Sequence, residues 1–280
     1  THLMDATPVR LGQEFGGYAT QVRNGAARVR KVLPELLELA LGGTAVGTGI
    51  NAPEGFAEST IAEMARRSGY AFVEAPDHFE AQASKDAVVN ASGALKTVAV
   101  SLFKIANDLR WLSSGPRTGI AEITLPSLQP GSSIMPGKVN PVISEMVMQV
   151  SSQVIGNDAA VTWGGANGNF ELNVMMPMMA HNVLESIDLL ASASNVMREK
   201  MVDGIVADAD RAQWLLEQNV IIITALVPVI GYDTSAEVAK KAFAEGRGVR
   251  EVALEMGVLP EDELNAALDL RPMTEGGVVG

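Results

Sequence analysis

Residues 85–114 carry an unbroken heptad repeat. The pattern is typical of a helix that packs along its whole length against other helices. At a rise of about 1.5 Å per residue this helix would be roughly 40–45 Å long, well beyond an average globular helix. Gly115-Pro116 would end it. The apolar positions, at alternating steps of three and four residues, are Val88, Ala91, Leu95, Val98, Leu102, Ile105, Leu109 and Leu112.

Three more long helices are predicted from caps, prolines and apolar spacing. The first would open at Thr7-Pro8 and run to Gly42-Gly43, with Pro34 kinking or dividing it. The other two would run from Pro141 towards Thr162 and from about Leu172 to Met201. Strand signals are nearly absent, apart from a short extended piece at 120–125. The predicted fold class is therefore all-α, with an elongated long-helix bundle.

The character of the chain changes after Gly204, where shorter segments are separated by turns. We predict two domains, a central helical bundle at 1–204, incomplete at its N-terminal end, and a small C-terminal helical domain at 205–280. The glycine-rich tail at 276–280 is expected to fray. The helical segments of the second domain are predicted at Asp210–Gln218, Asn219–Ile230, Ser235–Glu245, Gly248–Met256 and Glu261–Leu268.

Composition restricts the partners of the chain. A net charge of −12 over 280 residues argues against nucleic acid or an anionic membrane surface. No run of 18 apolar residues and no leader-like start are present, which predicts a soluble, cytoplasmic protein. There are no cysteines, so thiol catalysis and disulfides are excluded. His78 and His181 lack metal-ligand spacing, and the methionines suit core filling, so neither a metal nor another cofactor is expected.

The run at 131–141, Gly-Ser-Ser-Ile-Met-Pro-Gly-Lys-Val-Asn-Pro, concentrates polar groups in a loop ahead of a helix. Gly131 and Gly137 allow positive φ and close approach of main-chain N–H groups. Asn140 is predicted to cap the helix, with Pro141 at its first position. The helix N-terminus and Lys138 together favour an anion. A serine hydroxyl in that field would have a stabilised alkoxide, as a general base requires.

This run resembles the signature loop of the fumarase/aspartase superfamily, G-S-S-x-M-P-x-K-x-N-P, at every fixed position. Gly137 resembles class II fumarases, since aspartases usually carry Ala there. Two other stretches are similar to class II fumarases: T-H-L-x-D-A-x-P at 1–8, and the glycine-rich run at 42–51, whose main role we expect to be turning the chain.

The resemblance implies a reversible hydration of fumarate to L-malate without a cofactor, a step of the tricarboxylic acid cycle. Ser132 would be the general base and would form an aci-carboxylate intermediate. His2 would orient water or move a proton, paired with Glu145. The residues implied to bind the small dicarboxylate substrate are Thr1, Ser133, Lys138 and Asn140. The resemblance also implies a homotetramer whose active sites are shared between chains.

The resemblance covers the C-terminal three-fifths or so of the family's length, and the upstream substrate-binding stretches find no match here. Two alternatives therefore stay open. One is an aspartate ammonia lyase, against which Gly137 and His2 both argue, because aspartases carry glutamine at the position of His2. The other is an inactive fragment that oligomerises but lacks the N-terminal half of the active site.

Overall fold

The computed structural model describes residues 1–277, so the end of the predicted frayed tail lies outside the described part. Helices dominate it, which confirms the all-α prediction. The α-helices are α1 (Leu11–Val32), α2 (Phe56–Ser68), α3 (His78–Ala83), α4 (Asp86–Leu112), α5 (Val142–Ala166), α6 (Met176–Lys200), α7 (Ala209–Gln218), α8 (Val227–Ile230), α9 (Tyr232–Glu245), α10 (Val249–Glu255) and α11 (Glu261–Ala267). Short 3₁₀ helices cover Pro34–Leu37, Val202–Gly204, Val220–Leu226 and Pro272–Thr274.

Four strands of two residues each form two separate pairs. β1 (Glu38–Leu39) pairs in parallel with β2 (Val73–Glu74). β3 (Ile123–Thr124) pairs antiparallel with β4 (Val206–Ala207). The extended piece predicted at 120–125 therefore exists as β3, while the other three strands were not predicted.

The described chain forms two compact units. The bundle unit contains Ala19–Ser114 and Leu125–Ile205. The C-terminal unit begins at Val206 and also includes Thr1–Tyr18 and Gly115–Thr124. The domain division at 204/205 stays a prediction, and the C-terminal helices pack with two segments that lie far upstream in the sequence.

The heptad prediction for α4 is confirmed to within two residues at each end. Six of its eight seam positions are buried, with Leu109 only 1% exposed, and the other two, Val88 and Val98, are half-buried. By length and composition alone α4 would suit a membrane span, as would the bent pair formed by Ala209–Gln218 and Val220–Ile230. In the bundle unit α4 packs against α5 and α6 as a core helix. The predicted cytoplasmic location stays a prediction.

α5 runs antiparallel to both of its neighbours. Ser92 and Lys96, near the start of α4, contact Asp158 near the end of α5. Ser144, at the start of α5, contacts Met201, which follows α6. The buried positions of α5 also follow a heptad, in which Val147, Val154 and Val161 alternate with Ser144, Ser151 and Asp158. This seam is half polar, which explains why its apolar pattern in the sequence is weaker than that of α4.

The prediction that α1 opens at Thr7-Pro8 and runs to Gly42 is wrong at both ends. α1 starts at Leu11, because Gln13 Oε1 accepts the Arg10 N–H at 3.0 Å, as the third residue of a capping box does. It stops at Val32, since Pro34 begins a 3₁₀ turn. The division at Pro34 was predicted correctly.

The C-terminal unit has its own apolar core, formed by the 3₁₀ helix Val220–Leu226 with α9, α10 and α11. Ile222, Leu226 and Leu264 are each 1% exposed or less. The upstream segment Gly115–Thr124 is held in this unit by hydrogen bonds from Arg211, which donates to the carbonyl oxygens of Gly119 and Ile120 at 2.8 and 3.0 Å. The predicted helical segments after residue 204 are confirmed, except that Asn219–Ile230 is mostly 3₁₀.

Candidate active site

The loop at 131–140 is closed at its base by two hydrogen bonds. The Gly131 N–H donates to the Lys138 carbonyl oxygen at 2.7 Å. The Gly131 carbonyl oxygen accepts from Nδ2 of Asn140 at 2.8 Å. The N–H and the carbonyl oxygen of Gly131 are therefore both hydrogen-bonded to residues on the opposite side of the loop. We call this pair of bonds the neck of the serine loop.

Ser132 lies immediately inside the neck and is half-buried. Its Oγ accepts two main-chain N–H groups, from Ile134 at 3.2 Å and from Met135 at 3.0 Å. Donors that point at a hydroxyl oxygen stabilise its alkoxide more than its neutral form. The favourable field expected at Ser132 therefore has a source in the loop itself.

The cation of the loop is Lys138, whose Nζ donates to Oδ1 of Asn140 at 2.5 Å. The Lys138 side chain is exposed, and so is that of Ser133. An ammonium group has three donors, so two remain for another acceptor such as a carboxylate. Ser132, Lys138 and Asn140 thus lie within one small hydrogen-bonded loop.

The helix start after the loop differs from the prediction. α5 begins at Val142, with Pro141 at the N-cap position and no side-chain capping bond. The prediction that Asn140 caps this helix is wrong, because its carboxamide is engaged with Gly131 and Lys138 instead. Glu145 lies half-buried in the first turn, and its N–H donates to the Pro141 carbonyl oxygen at 3.1 Å.

Thr1 and His2 belong to the C-terminal unit, whereas Ser132 and Glu145 belong to the bundle unit. Residues 1–4 form a tight turn, in which the Met4 N–H donates to the Thr1 carbonyl oxygen at 2.8 Å. His2 and Leu3 occupy its centre with φ of 56° and 59°, and both are exposed. The pairing of His2 with Glu145 stays a prediction.

A cavity of about 360 Å³ was not predicted. Because α4 and α5 are antiparallel, this cavity lies at the end of α5 that is remote from the serine loop, roughly 37 Å along a 25-residue helix. Burial lowers the pKa of the Lys85 ammonium group there, opposed by the charge of Glu80. The cavity is lined by Ala40, Leu41, Gly42, Thr44, Phe56, Gln82, Lys85, Leu172 and Met176.

The glycine-rich run thus contributes to a cavity that is separate from the serine loop of the same chain. The sequence signal for it was present in Gly42-Gly43-Thr44, but it gave no indication of the other lining residues, which include Phe56 of α2, Gln82 of α3 and Met176 of α6. Within residues 1–277 no group of three or more His, Cys, Asp or Glu side chains is placed to hold a metal ion.

Comparison with known proteins gives two family matches. A model described as Lyase matches residues 1–156, and one described as Fumarase C C-terminus matches residues 222–275. A class II fumarate hydratase from Mycobacterium tuberculosis is 52% identical over 280 residues, covering 98% of this chain and 59% of the relative. One from Corynebacterium efficiens is 54% identical over 279 residues, with the same coverage. The chain therefore spans about three fifths of the length of these curated relatives.

The fold is similar as well. The crystal structure of recombinant class II fumarase from Schistosoma mansoni matches with a TM-score of 0.92 and 34% identity, over 98% of this chain and 60% of that one. These matches confirm the resemblance to class II fumarases that the loop at 131–141 predicted. Since the Lyase model covers more than half of the sequence, the chain belongs to the lyase family, with a fumarase C C-terminal segment at 222–275.

Proposed function

We propose that the chain takes part in the reversible hydration of fumarate to L-malate. The observation that carries this proposal is the environment of Ser132, whose Oγ accepts two N–H groups in a loop that also holds the Lys138 ammonium group. The similarity to curated relatives supports it, because these relatives are named as class II fumarate hydratases.

In the direction of dehydration, the Ser132 alkoxide removes a proton from the malate carbon beside one carboxylate. The electron pair of the broken C–H bond moves onto that carboxylate and forms an aci-carboxylate. The electron pair then returns to form the C=C bond as hydroxide leaves from the neighbouring carbon and is protonated to water. No cofactor is required, because the carboxylate of the substrate accepts the charge.

Lys138 supplies the charge that stabilises the aci-carboxylate. A fixed donor aimed at charge that develops in the transition state accelerates a reaction more than one that binds the substrate equally well. Ser133 is exposed on the same loop and can offer its hydroxyl to the substrate. We assign Thr1 to substrate binding, and His2 with Glu145 to the proton that leaves with hydroxide. These last three assignments rest on the resemblance.

We also propose that copies of the chain associate through the bundle, as a homotetramer. α6 exposes an apolar stripe at steps of four, three and four residues, at Ala180, Leu184, Ile187 and Ala191. Leu184 is 61% exposed, and on α5 Trp163 is 72% exposed. Apolar stripes of this kind on helices usually mark contacts with other helices. Active sites that are shared between chains would require such an assembly.

The test is the loss of fumarate absorbance on incubation with the protein, with and without ammonium ions. Loss that does not depend on ammonium, with malate as the product, supports the hydratase. Loss that requires ammonium, with aspartate as the product, would show an aspartate ammonia lyase instead. No loss under either condition would mean that the chain alone lacks the activity, as expected of an inactive oligomerising fragment.

A further inference from the structure

A side chain from far along the sequence holds the start of the chain in the C-terminal unit. Nδ2 of Asn219 donates to the Ala6 carbonyl oxygen at 2.7 Å, across 213 residues. Oδ1 of the same carboxamide accepts the Ile221 N–H at 2.8 Å and so caps the 3₁₀ helix Val220–Leu226. Only one orientation of the amide serves both partners, because the reverse would place an oxygen against a carbonyl and an NH₂ group against an N–H. We call this contact the Ala6 bridge.

Gln13 makes a second bridge of the same kind. Its Oε1 accepts the Arg10 N–H, as described above, and its Nε2 donates to the Thr274 carbonyl oxygen at 2.7 Å, across 261 residues. Each carboxamide thus caps a helix with its oxygen and binds a distant carbonyl oxygen with its nitrogen. All of these residues belong to the C-terminal unit. We call this contact the Thr274 bridge.

The stretch between the two bridges, residues 6–13, has little freedom of its own. Pro8 fixes its own φ and is buried, and the capping box fixes the start of α1. Attachment at both ends therefore sets the place and the direction in which residues 1–5 leave the unit. His2 lies only four residues before Ala6, within the tight turn formed by residues 1–4.

We propose that Asn219 is a positioning residue, which places Thr1 and His2 for the reaction by holding Ala6, and that Gln13 supports it from the other end. This inference rests on the proposed function, because it concerns the segment to which substrate binding and a proton transfer are assigned there. Asn219 is half-buried whereas Gln13 is exposed, so the Ala6 bridge is better shielded from water and should contribute more.

Substitutions can break each bridge without removing the helix cap. Asn219→Asp keeps an N-cap acceptor but offers no donor to the Ala6 carbonyl oxygen. Asn219→Ser also keeps a capping oxygen, is too short to reach Ala6 and adds no charge. Gln13→Glu keeps the capping box and loses the donor of the Thr274 bridge. The helices of the unit should therefore remain folded in all three variants.

The matched control is Asn265→Asp on α11. It makes the same chemical change and adds the same charge at an exposed position of the same unit. Oδ1 of Asn265 accepts from the Arg250 guanidinium, and the carboxylate that replaces it would accept from the same donor. Asn265→Asp should therefore change neither the position of residues 1–8 nor the activity.

The first experiment measures the position of the segment and does not depend on activity. The chain has no cysteine, so nitroxide labels at Val9→Cys and Glu237→Cys are the only ones that react. Both positions are exposed, Val9 at 70%. Double electron–electron resonance, with labelled chain diluted by unlabelled chain, should give a narrow distance distribution that Asn265→Asp preserves. Asn219→Asp and Asn219→Ser should broaden it, and Gln13→Glu should broaden it less.

The second experiment measures fumarate hydration. Asn219→Asp and Asn219→Ser should lower kcat on the order of 10²-fold, as a misplaced catalytic group does, and should raise KM because Thr1 moves with His2. In a His2→Ala background most of the loss in kcat should disappear, since the group that Asn219 positions is already gone. A merely structural role of Asn219 predicts the same factor with and without His2.

The inference is overturned if Asn219→Asp and Asn219→Ser keep the narrow distance distribution, or if they lower kcat by the same factor in both backgrounds. If the unsubstituted chain does not hydrate fumarate, the proposed function fails, and the label distances alone decide whether Asn219 holds the segment in place.

Discussion

Ser92, near the start of α4, and Asp158, near the end of α5, are joined by a buried hydrogen bond of 2.8 Å between Oγ and Oδ1. Oδ2 of the same carboxylate lies 2.5 Å from Lys96 Nζ. Asp158 is 5% exposed, so its charge is removed from water and depends on these two partners. The contact fixes α4 against α5 at one position along their length.

The first prediction concerns this carboxylate. Asp158→Ala leaves the buried Ser92 hydroxyl without its acceptor and Lys96 without its counter-charge, at a cost of about 1–3 kcal/mol in the free energy of unfolding. Asp158→Asn keeps an oxygen for Ser92 and should cost less. Urea unfolding followed by circular dichroism measures both. Equal stability of the Ala variant and the unsubstituted protein would show that the contact contributes nothing.

The second prediction concerns Glu122 in the C-terminal unit. Burial raises its pKa, with a further contribution from the nearby charge of Glu14, while Arg211 acts in the opposite direction. The folded state thus holds this proton more tightly than the unfolded state does. The stabilising contribution is present below the ordinary value of 4.5 and is lost as the pH rises through the raised value.

Glu122→Gln cannot ionise, so it should raise the melting temperature near neutral pH and flatten the decrease in stability above pH 4.5. Glu237→Gln, an exposed position on α9, is the control and should leave the pH profile as it was. Thermal unfolding across this pH range checks the prediction. An unchanged slope in Glu122→Gln would contradict the assigned cause.

The third prediction concerns assembly. Leu184→Glu places a charge in the apolar stripe of α6 and should shift the protein towards smaller species, because a buried unpaired charge opposes helix contact. Ser192→Glu adds the same charge to an exposed position of α6 outside that stripe and should leave the assembly intact. Light scattering coupled to size-exclusion chromatography gives the mass. If both variants keep the mass of the unsubstituted protein, the stripe is not an interface.

The sequence predicted those parts of the fold whose pattern is local. The seam of α4 is apolar at every heptad position, so its extent could be predicted closely. The start of α1 could not, because Gln13 reaching back to Arg10 competes with the cap signal of Thr7-Pro8. Strands β1 and β2 are two residues long and pair across more than thirty residues, so no local periodicity indicates them.

In the candidate site, too, the sequence predicted what depends on local spacing and missed what depends on distant segments. The spacing within 131–141 predicted that Ser132 and Lys138 lie in one loop, and the structure places them there. The prediction that Asn140 caps α5 was wrong, because a polar residue just before a helix has the sequence pattern of a cap even when its side chain bonds back across a loop. Its predicted role in substrate binding stays a prediction. The contribution of His2 and Glu145 depends on how different segments meet, which local spacing does not encode.

The central claim is that Ser132 acts as the base, and the most direct test compares Ser132→Ala with Ser133→Ala in fumarate hydration. Loss of a general base costs roughly 10²- to 10⁴-fold in kcat. The account predicts a loss of that size for Ser132→Ala with the helical content unchanged, and for Ser133→Ala a smaller effect that falls mainly on KM. A Ser132→Ala variant that keeps the kcat of the unsubstituted protein would contradict the account.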